Sequence, residues 1–378
     1  MTNKIALIYD CIYPYTKGGG EKRFYELGKA LVESGYDVHL YGMKFWSGPD
    51  VIKKDNVYLH GICPSKSLYT NDGRRSIWQA IYFGIHSLKL IKEDFDVIDC
   101  CGFPYFSLFA CKLVCLLKGK KLISTWHEVW GKEYWKSYLG KLWLFGFLVE
   151  RLVVKLPDKI IAVSDGTANR IKSELGYKGP ITVCPNGVDS EVIKNIEPSS
   201  IKSDIIYVGR LMDFKNVDLL IKSISLVKKH YPDVKCLIIG DGPEKEKLQT
   251  LTRQLGLSKN ISFTGFIKSH NDVYAFMKSS KVFVLPSTRE GFGIVVTEAN
   301  ACGIPVITVD HKNNAAKELI EVEKNGYTCA LDEKAISQNI TSILKNDSGN
   351  SKRDICVKKA KQYYWSSIGK EIERSYIK

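Results

Sequence analysis

Two carboxylates eight positions apart, Glu290 and Glu298, follow a short apolar run at residues 282–285. Glu290 lies in the glycine-rich stretch Pro286-Ser287-Thr288-Arg289-Glu290-Gly291-Phe292-Gly293 and Glu298 within the helical stretch after it, so the two can converge on one ligand. A solvated loop glutamate beside a helix-surface glutamate is the plain alternative. It is weakened because Glu298 sits among Ile294, Val295, Val296, Thr297 and Ala299, where burying a lone carboxylate is costly without a partner such as a pair of hydroxyls. Arg210 and Lys215 follow another apolar run, residues 205–208, with Asp213 the only acid between them, and such cations can pair with a diphosphate. Gly18-Gly19-Gly20, ahead of a helix start, removes three Cβ atoms and leaves bare N–H groups and a positive dipole end for a phosphate. A mobile glycine turn fits these three residues equally well. His127, in Trp126-His127-Glu128, could touch a substrate hydroxyl, although a lone histidine is more often structural. Gly240-Asp241-Gly242-Pro243 reads as a tight turn with proline at the first helical position.

What positions these residues is an alternation of short β-branched runs with helical spacing. Residues 5–9, 37–41, 97–100, 121–125 and 160–164 read as strands, with helical segments such as 21–34 and 76–91 between most of them. Such alternation predicts βαβ units and a parallel sheet, with ligands beyond the carboxyl ends of the strands. The pattern pauses over residues 183–203, which hold Pro185, Asn186-Gly187, Pro198 and Ser199-Ser200, and restarts with runs at 205–208, 234–239, 261–263, 282–285 and 306–309. The expected organisation is an N-terminal Rossmann-like domain at 1–190, a linker at 191–203, a C-terminal Rossmann-like domain at 204–360 that binds the nucleotide, and a last helical segment at 361–378.

A chain of 378 residues with 44% hydrophobic residues is long enough for two such domains. The net charge of +14 favours an anionic partner. Nucleic acid is not expected, because no zinc-finger spacing, RNP-like motif or basic heptad accompanies the charge. Asp10 interrupts the first apolar run before it could form a signal-peptide core, and no run reaches the ~18 residues of a bilayer span. The expected location is cytoplasmic, or peripheral on the cytoplasmic face of a membrane. Eleven scattered cysteines without C-x-x-C spacing read as reduced, buried thiols; Cys111 and Cys115, at i, i+4, read as small core side chains rather than metal ligands.

The motifs together resemble the retaining glycosyltransferases of the GT-B architecture, often called family four or group one, over nearly the whole chain. The most specific piece runs from Pro286 through Glu290, Glu298 and Ala301-Cys302-Gly303 to Pro305-Val306, and looks like that family's glutamate, seven residues, glutamate signature. Val208-Gly209-Arg210-Leu211 with Lys215, Gly240-Asp241-Gly242-Pro243, Asn186-Gly187-Val188-Asp189 and Gly19-Gly20-Glu21 fall in the family's order. The resemblance implies an α/β fold of two Rossmann-like domains facing across a cleft, with a C-terminal helix, including Tyr364-Trp365, crossing back to the first domain. It implies transfer of a hexosyl group from a UDP- or GDP-linked sugar, the donor being a substrate rather than a cofactor, to a saccharide or lipid-linked acceptor. A nucleotide-sugar epimerase or a synthase without a saccharide acceptor is the alternative. Carried over residue by residue, it implies that Arg210 and Lys215 hold the diphosphate and that Gly19 and Gly20 approach the phosphates. His127 and Glu290 would face the donor sugar and Glu298 the ribose, with backbone N–H groups of Phe292, Gly293 and Ile294 directed at sugar and phosphate.

No metal is expected. An Asp-x-Asp triplet, Asp94-Phe95-Asp96, precedes a strand and so reads as a solvated turn at the amino end of the sheet, away from the ligand edge. The chain departs from the common pattern after Val309, where Asp310-His311-Lys312-Asn313-Asn314-Ala315-Ala316 replaces the Gly-Gly turn of many members, and this leaves the donor sugar open. Between residues 118 and 159, nine basic residues face four acidic ones, around the apolar stretch 142–149. With Trp130, Trp135 and Tyr138 beside it, this stretch reads either as a segment lying in an anionic membrane interface or as a helix buried on both faces.

Overall fold

The computed structural model describes residues 4–16, 18–70, 74–346 and 350–377. They form two units, Met1–Gly187 with Trp365–Lys378, and Val188–Tyr364. In the first unit, β1 (Lys4–Ile8), α1 (Gly19–Glu33) and β2 (Asp37–Lys44) lead into the hairpin β3 (Val51–Lys54) and β4 (Val57–Pro64). Then come α2 (Ile77–His86), β5 (Val97–Cys101), α3 (Phe106–Lys118), β6 (Lys121–Trp126), α4 (Gly131–Leu139), α5 (Trp143–Val153), β7 (Lys159–Ala162), α6 (Asp165–Ser173) and β8 (Ile181–Val183). The sheet order is β3-β4-β2-β1-β5-β6-β7-β8, parallel except for β3. The central strands are apolar runs because parallel strands are covered on both faces; four of the five residues of β1 are buried. The β3–β4 turn uses Asp55 and Asn56, both at positive φ, as a two-residue hairpin turn requires.

The second unit holds α7 (Ser190–Lys194), β9 (Ser203–Val208), α8 (Val217–Val227), β10 (Cys236–Ile239), α9 (Lys245–Gln254), β11 (Ile261–Gly265), α10 (His270–Lys278) and β12 (Ser280–Leu285). It continues with α11 (Ile294–Ala301), β13 (Val306–Val309), β14 (Gly326–Cys329), α12 (Glu333–Lys345) and α13 (Asn350–Ala360). Its six-stranded parallel sheet has the order β11-β10-β9-β12-β13-β14. The last helix, α14 (Trp365–Ile377), returns to the first unit. There Tyr376 donates its hydroxyl to the fully buried Asp99 of β5, which also accepts from Thr125 at 2.8 Å.

Several expectations need correcting. The stretch expected as a linker carries α7, capped by Asp189 and held by Lys278, whose Nζ donates to the carbonyls of Lys194 and Ile196, so residues 188–203 belong to the second unit. Trp130, Trp135 and Tyr138 are buried: Trp135 of α4 packs on Gly146 and donates to Glu150 of α5, the Trp130 backbone N–H donates to the same Glu150, and Tyr138 donates its hydroxyl to the Arg75 carbonyl. Helix α5 itself buries Gly146, Glu150 and Val153 and leaves Leu144, Phe145, Leu148 and Leu152 exposed, so it is not covered on both faces. Asp94-Phe95-Asp96 is not simply solvated: Phe95 is a core residue, and Asp96 accepts from the Lys4 backbone N–H and from Lys120. All eleven cysteines are buried and unpaired.

Candidate active site

In the second unit the chemistry gathers at the carboxyl ends of β9, β12 and β13. After β9 the chain passes Gly209 to Arg210, which is exposed and whose carbonyl accepts from the Tyr207 hydroxyl at 3.1 Å. Gly240, after the neighbouring β10, must be glycine, since a Cβ there would lie 1.9 Å from the Gly209 carbonyl oxygen. A 3₁₀ turn, Asp213–Lys215, then presents Lys215, and Asn216 in the left-handed region swings the chain into α8. The Asn216 amide donates to the carbonyls of Phe214 and Pro286 at 3.0 Å each, and Thr288 N donates to Phe214 O at 2.9 Å. These bonds lock the β9 turn to the loop after β12. Their result is an ion pair: Lys215 Nζ donates to Glu290 Oε1 at 2.5 Å, with the two side chains 15% and 13% exposed. In the same turn the Arg289 guanidinium lies 4.3 Å from the centre of the Phe214 ring.

The segment that departs from the family pattern supports Glu290 from the other side. Glu290 N donates to Asn313 O at 3.0 Å, and Ala315 N donates to Glu290 O at 2.9 Å. Buried Asn314 holds this bridge by donating to Thr308 Oγ1 and Val309 O while its Oδ1 accepts from Ala316 N. Gly293 has φ +88° and faces Ala316, where a Cβ would come within 2.5 Å, so no other residue fits the start of α11 without strain. That helix therefore begins with no side-chain cap, its positive dipole end beside Ile294, with Phe292 buried edge-on against Tyr363 at 5.6 Å. Glu298 is buried in α11, and its Oε1 accepts from the Tyr274 hydroxyl at 2.7 Å. Burial and this carboxylate push the Tyr274 pKa well up, so the phenol stays protonated and donates.

In the first unit, Gly19 and Gly20 open α1, whose N-cap Gly18 is extended and offers no side-chain cap. Tyr9, just past β1, ties them to His127: a Cβ on Gly20 would meet its hydroxyl at 2.9 Å, and its ring stacks 6.5 Å from the imidazole. The His127 Nε2 is enclosed without a hydrogen-bond partner. Burial, aided by the Arg23 charge, pushes its pKa down to about 3, so at neutral pH this imidazole is uncharged. Arg23 in turn donates to Pro185 O at 2.5 Å and Asn186 Oδ1 at 3.0 Å, which anchors the Asn186-Gly187 turn to α1.

The lowered pKa carries a stability consequence. Between about pH 3 and 6.5 the native His127 binds fewer protons than the unfolded one, so unfolding free energy falls as pH falls through that window. The expected gap between wild type and His127→Asn in urea unfolding narrows on acidification from pH 7 to 5, by up to about 1.4 kcal/mol per pH unit. Parallel pH profiles would show the imidazole to be freely protonated in the fold.

Lys215 and Glu290, named from the sequence, thus meet; Arg210 stands at the end of β9, and Glu298 is set against Tyr274. Tyr9, Tyr274 and Asn314 were not anticipated. Only Asn314 carried a signal, lying in the segment that departs from the common pattern.

A family model described as "Glycosyl transferases group 1" matches residues 189–363, and one described as "Glycosyltransferase Family 4" matches residues 17–192. An uncharacterized glycosyltransferase of Haemophilus influenzae is 30% identical over 319 residues, 82% of each chain. The N-acetylgalactosamine-N,N'-diacetylbacillosaminyl-diphospho-undecaprenol 4-alpha-N-acetylgalactosaminyltransferase of Campylobacter jejuni is 33% identical over 212 residues, 54% of this chain and 56% of that one. Among solved structures, Anabaena HepE in complex with UDP and glucose superposes with a TM-score of 0.76 at 18% identity, covering 99% of both chains.

Proposed function

Because this chain belongs to the group 1 glycosyltransferases, of the family 4 type with the GT-B fold, we propose that it moves a hexosyl group from a nucleotide-diphosphate sugar to a lipid-linked saccharide. The observation that carries this reading is the Lys215–Glu290 pair at the carboxyl edge of the second sheet, with Arg210 at the end of the adjoining strand. Cleaving a sugar–phosphate bond places negative charge on the leaving diphosphate. Arg210, Lys215 and the uncapped start of α11 would stabilise that charge. Lys215 can move from Glu290 toward a phosphate oxygen, freeing the carboxylate to accept from a sugar hydroxyl. Glu298, held by Tyr274, would accept from the ribose, and His127, uncharged, would hydrogen-bond the donor sugar. The undecaprenol-linked substrate in the Campylobacter relative's name supports a lipid-linked acceptor, and the UDP bound to HepE supports a UDP donor.

We further propose that transfer retains the anomeric configuration and needs no divalent ion. The cations named above can do at the leaving group what a bridging metal does elsewhere, and the carboxylate of Asp96 is engaged by Lys4 and Lys120. Product formation should persist in EDTA, with NMR reporting the donor's anomer. Activity abolished by EDTA and restored by manganese would overturn the metal-free step; an inverted product would overturn retention. Turnover of nucleotide sugars with no acceptor present would favour an epimerase.

A further inference from the structure

The first unit carries an apolar face that the candidate active site does not use. Helices α2, α3 and α5 lie side by side: a Cβ on Gly84 of α2 would come 2.8 Å from the Phe106 Cβ of α3, and Tyr105 at the start of α3 donates to Glu150 of α5 at 3.0 Å. Each buries one stripe and exposes a second apolar one. On α2, Trp78 is 80% exposed and Ile85 follows two turns later. On α3 the outward stripe is Phe109, Leu113, Leu116 and Leu117; on α5 it is Leu144, Phe145, Leu148 and Leu152. Leu116 and Phe145 are each 68% exposed. Soluble surface helices turn polar residues outward, so adjoining outward stripes of this kind mark an interaction surface.

Charge selects the occupant. Helices α2 and α3 contain no acidic residue, and the one acid of α5, Glu150, is fully buried. Cations surround the stripes: Lys132 and Lys136 reach over the Trp143 ring at 5.3 and 5.2 Å, Arg151 lies over Phe147 at 5.9 Å, and Lys141 is exposed. A second copy of this chain on the same face would set like charges against each other. An acyl interior beneath anionic headgroups matches both the apolar stripes and their basic surroundings. We propose that the outward face of α2, α3 and α5 docks on an anionic phospholipid bilayer. This rests on the reading of a lipid-linked acceptor and places the acceptor's lipid in the same bilayer. Helices α2 and α3 begin at the carboxyl edge of the first sheet, and Glu150 of α5 bonds Tyr105 and Trp130 just past that edge, so the apolar face reaches the edge that carries Gly19, Gly20 and His127.

Flotation of the full chain with phosphatidylcholine vesicles containing phosphatidylglycerol tests the face, and thermal shift with UDP, GDP and their sugars tests the donor site separately. Binding should drop about tenfold or more in Leu116→Glu/Phe145→Glu, and also in about 1 M salt, where the Debye length shrinks to about 3 Å. The nucleotide-induced shift should be unchanged in that variant. Retained vesicle binding in the variant, or equal binding to pure phosphatidylcholine, overturns the assignment. So does a wild-type dimer by light scattering that the variant lacks, without vesicle binding. A nucleotide shift without vesicle binding removes the docking face and leaves the transferase reading; vesicle binding without any nucleotide shift does the reverse.

Discussion

Lys215→Ala and Arg210→Ala are each expected to lower kcat by about 10²-fold or more, equivalent to about 2.7 kcal/mol of transition-state stabilisation, as when single charge-stabilising donors are removed elsewhere. For Lys215 the loss has two parts. The leaving diphosphate loses a cation, and Glu290, only 13% exposed, loses the ammonium that neutralises it in the resting enzyme. The double variant Lys215→Ala/Glu290→Ala should therefore fall short of the sum of the single effects, as for residues acting as a unit. Glu298→Ala should instead weaken nucleotide binding. Steady-state kinetics with calorimetry separates these cases: a change confined to KM in the Lys215 and Arg210 variants, or unaltered nucleotide affinity in Glu298→Ala, would overturn the respective roles.

A second large effect is expected on stability, at a residue outside the candidate active site. Glu150 is fully buried, and burial holds its pKa above the ordinary value despite four donors. Its Oε1 accepts from Trp130 N at 2.8 Å and Tyr105 Oη at 3.0 Å, and its Oε2 from Gly131 N at 2.9 Å and Trp135 Nε1 at 2.8 Å. One carboxylate on α5 thus caps the start of α4 and fastens three aromatic residues. Glu150→Ala strands all four donors in the core and is expected to cost about 3–5 kcal/mol, or on the order of 10 °C in Tm. Glu150→Gln keeps one acceptor oxygen and should lose less. A cost below about 1 kcal/mol for the alanine variant by urea unfolding would mean that the donors find water or new partners.

The parallel sheets were legible because strands covered on both faces must be apolar. The runs read at 5–9, 97–100 and 121–125 became β1, β5 and β6 nearly residue for residue. Four strands went unread. β3 is an exposed edge strand ending in two lysines, β8 has three residues after a proline, and β14 is Gly-Tyr-Thr-Cys, so none forms an apolar run. The strand β4 lies in the hairpin with β3 and breaks the strand–helix rhythm that organised the reading. Trp130, Trp135 and Tyr138 were compatible with two placements, because an aromatic side chain that packs in the protein interior has the same local sequence as one at a membrane interface. The sequence named Lys215 and Glu290 but not their pairing, which depends on Asn216 and Thr288 tying together loops 70 or more positions apart.

The return of α14 to the first unit sets an order of events at the ribosome. The partner that Asp99 receives from Tyr376 is synthesised only after the whole of Val188–Tyr364, roughly 180 residues and about 10–35 s at ordinary elongation rates. Until then the eight-stranded sheet holds a buried carboxylate with Thr125 as its one side-chain hydroxyl donor, while the second unit, continuous in sequence, can finish folding as it emerges. The unit made first is therefore the last to be completed.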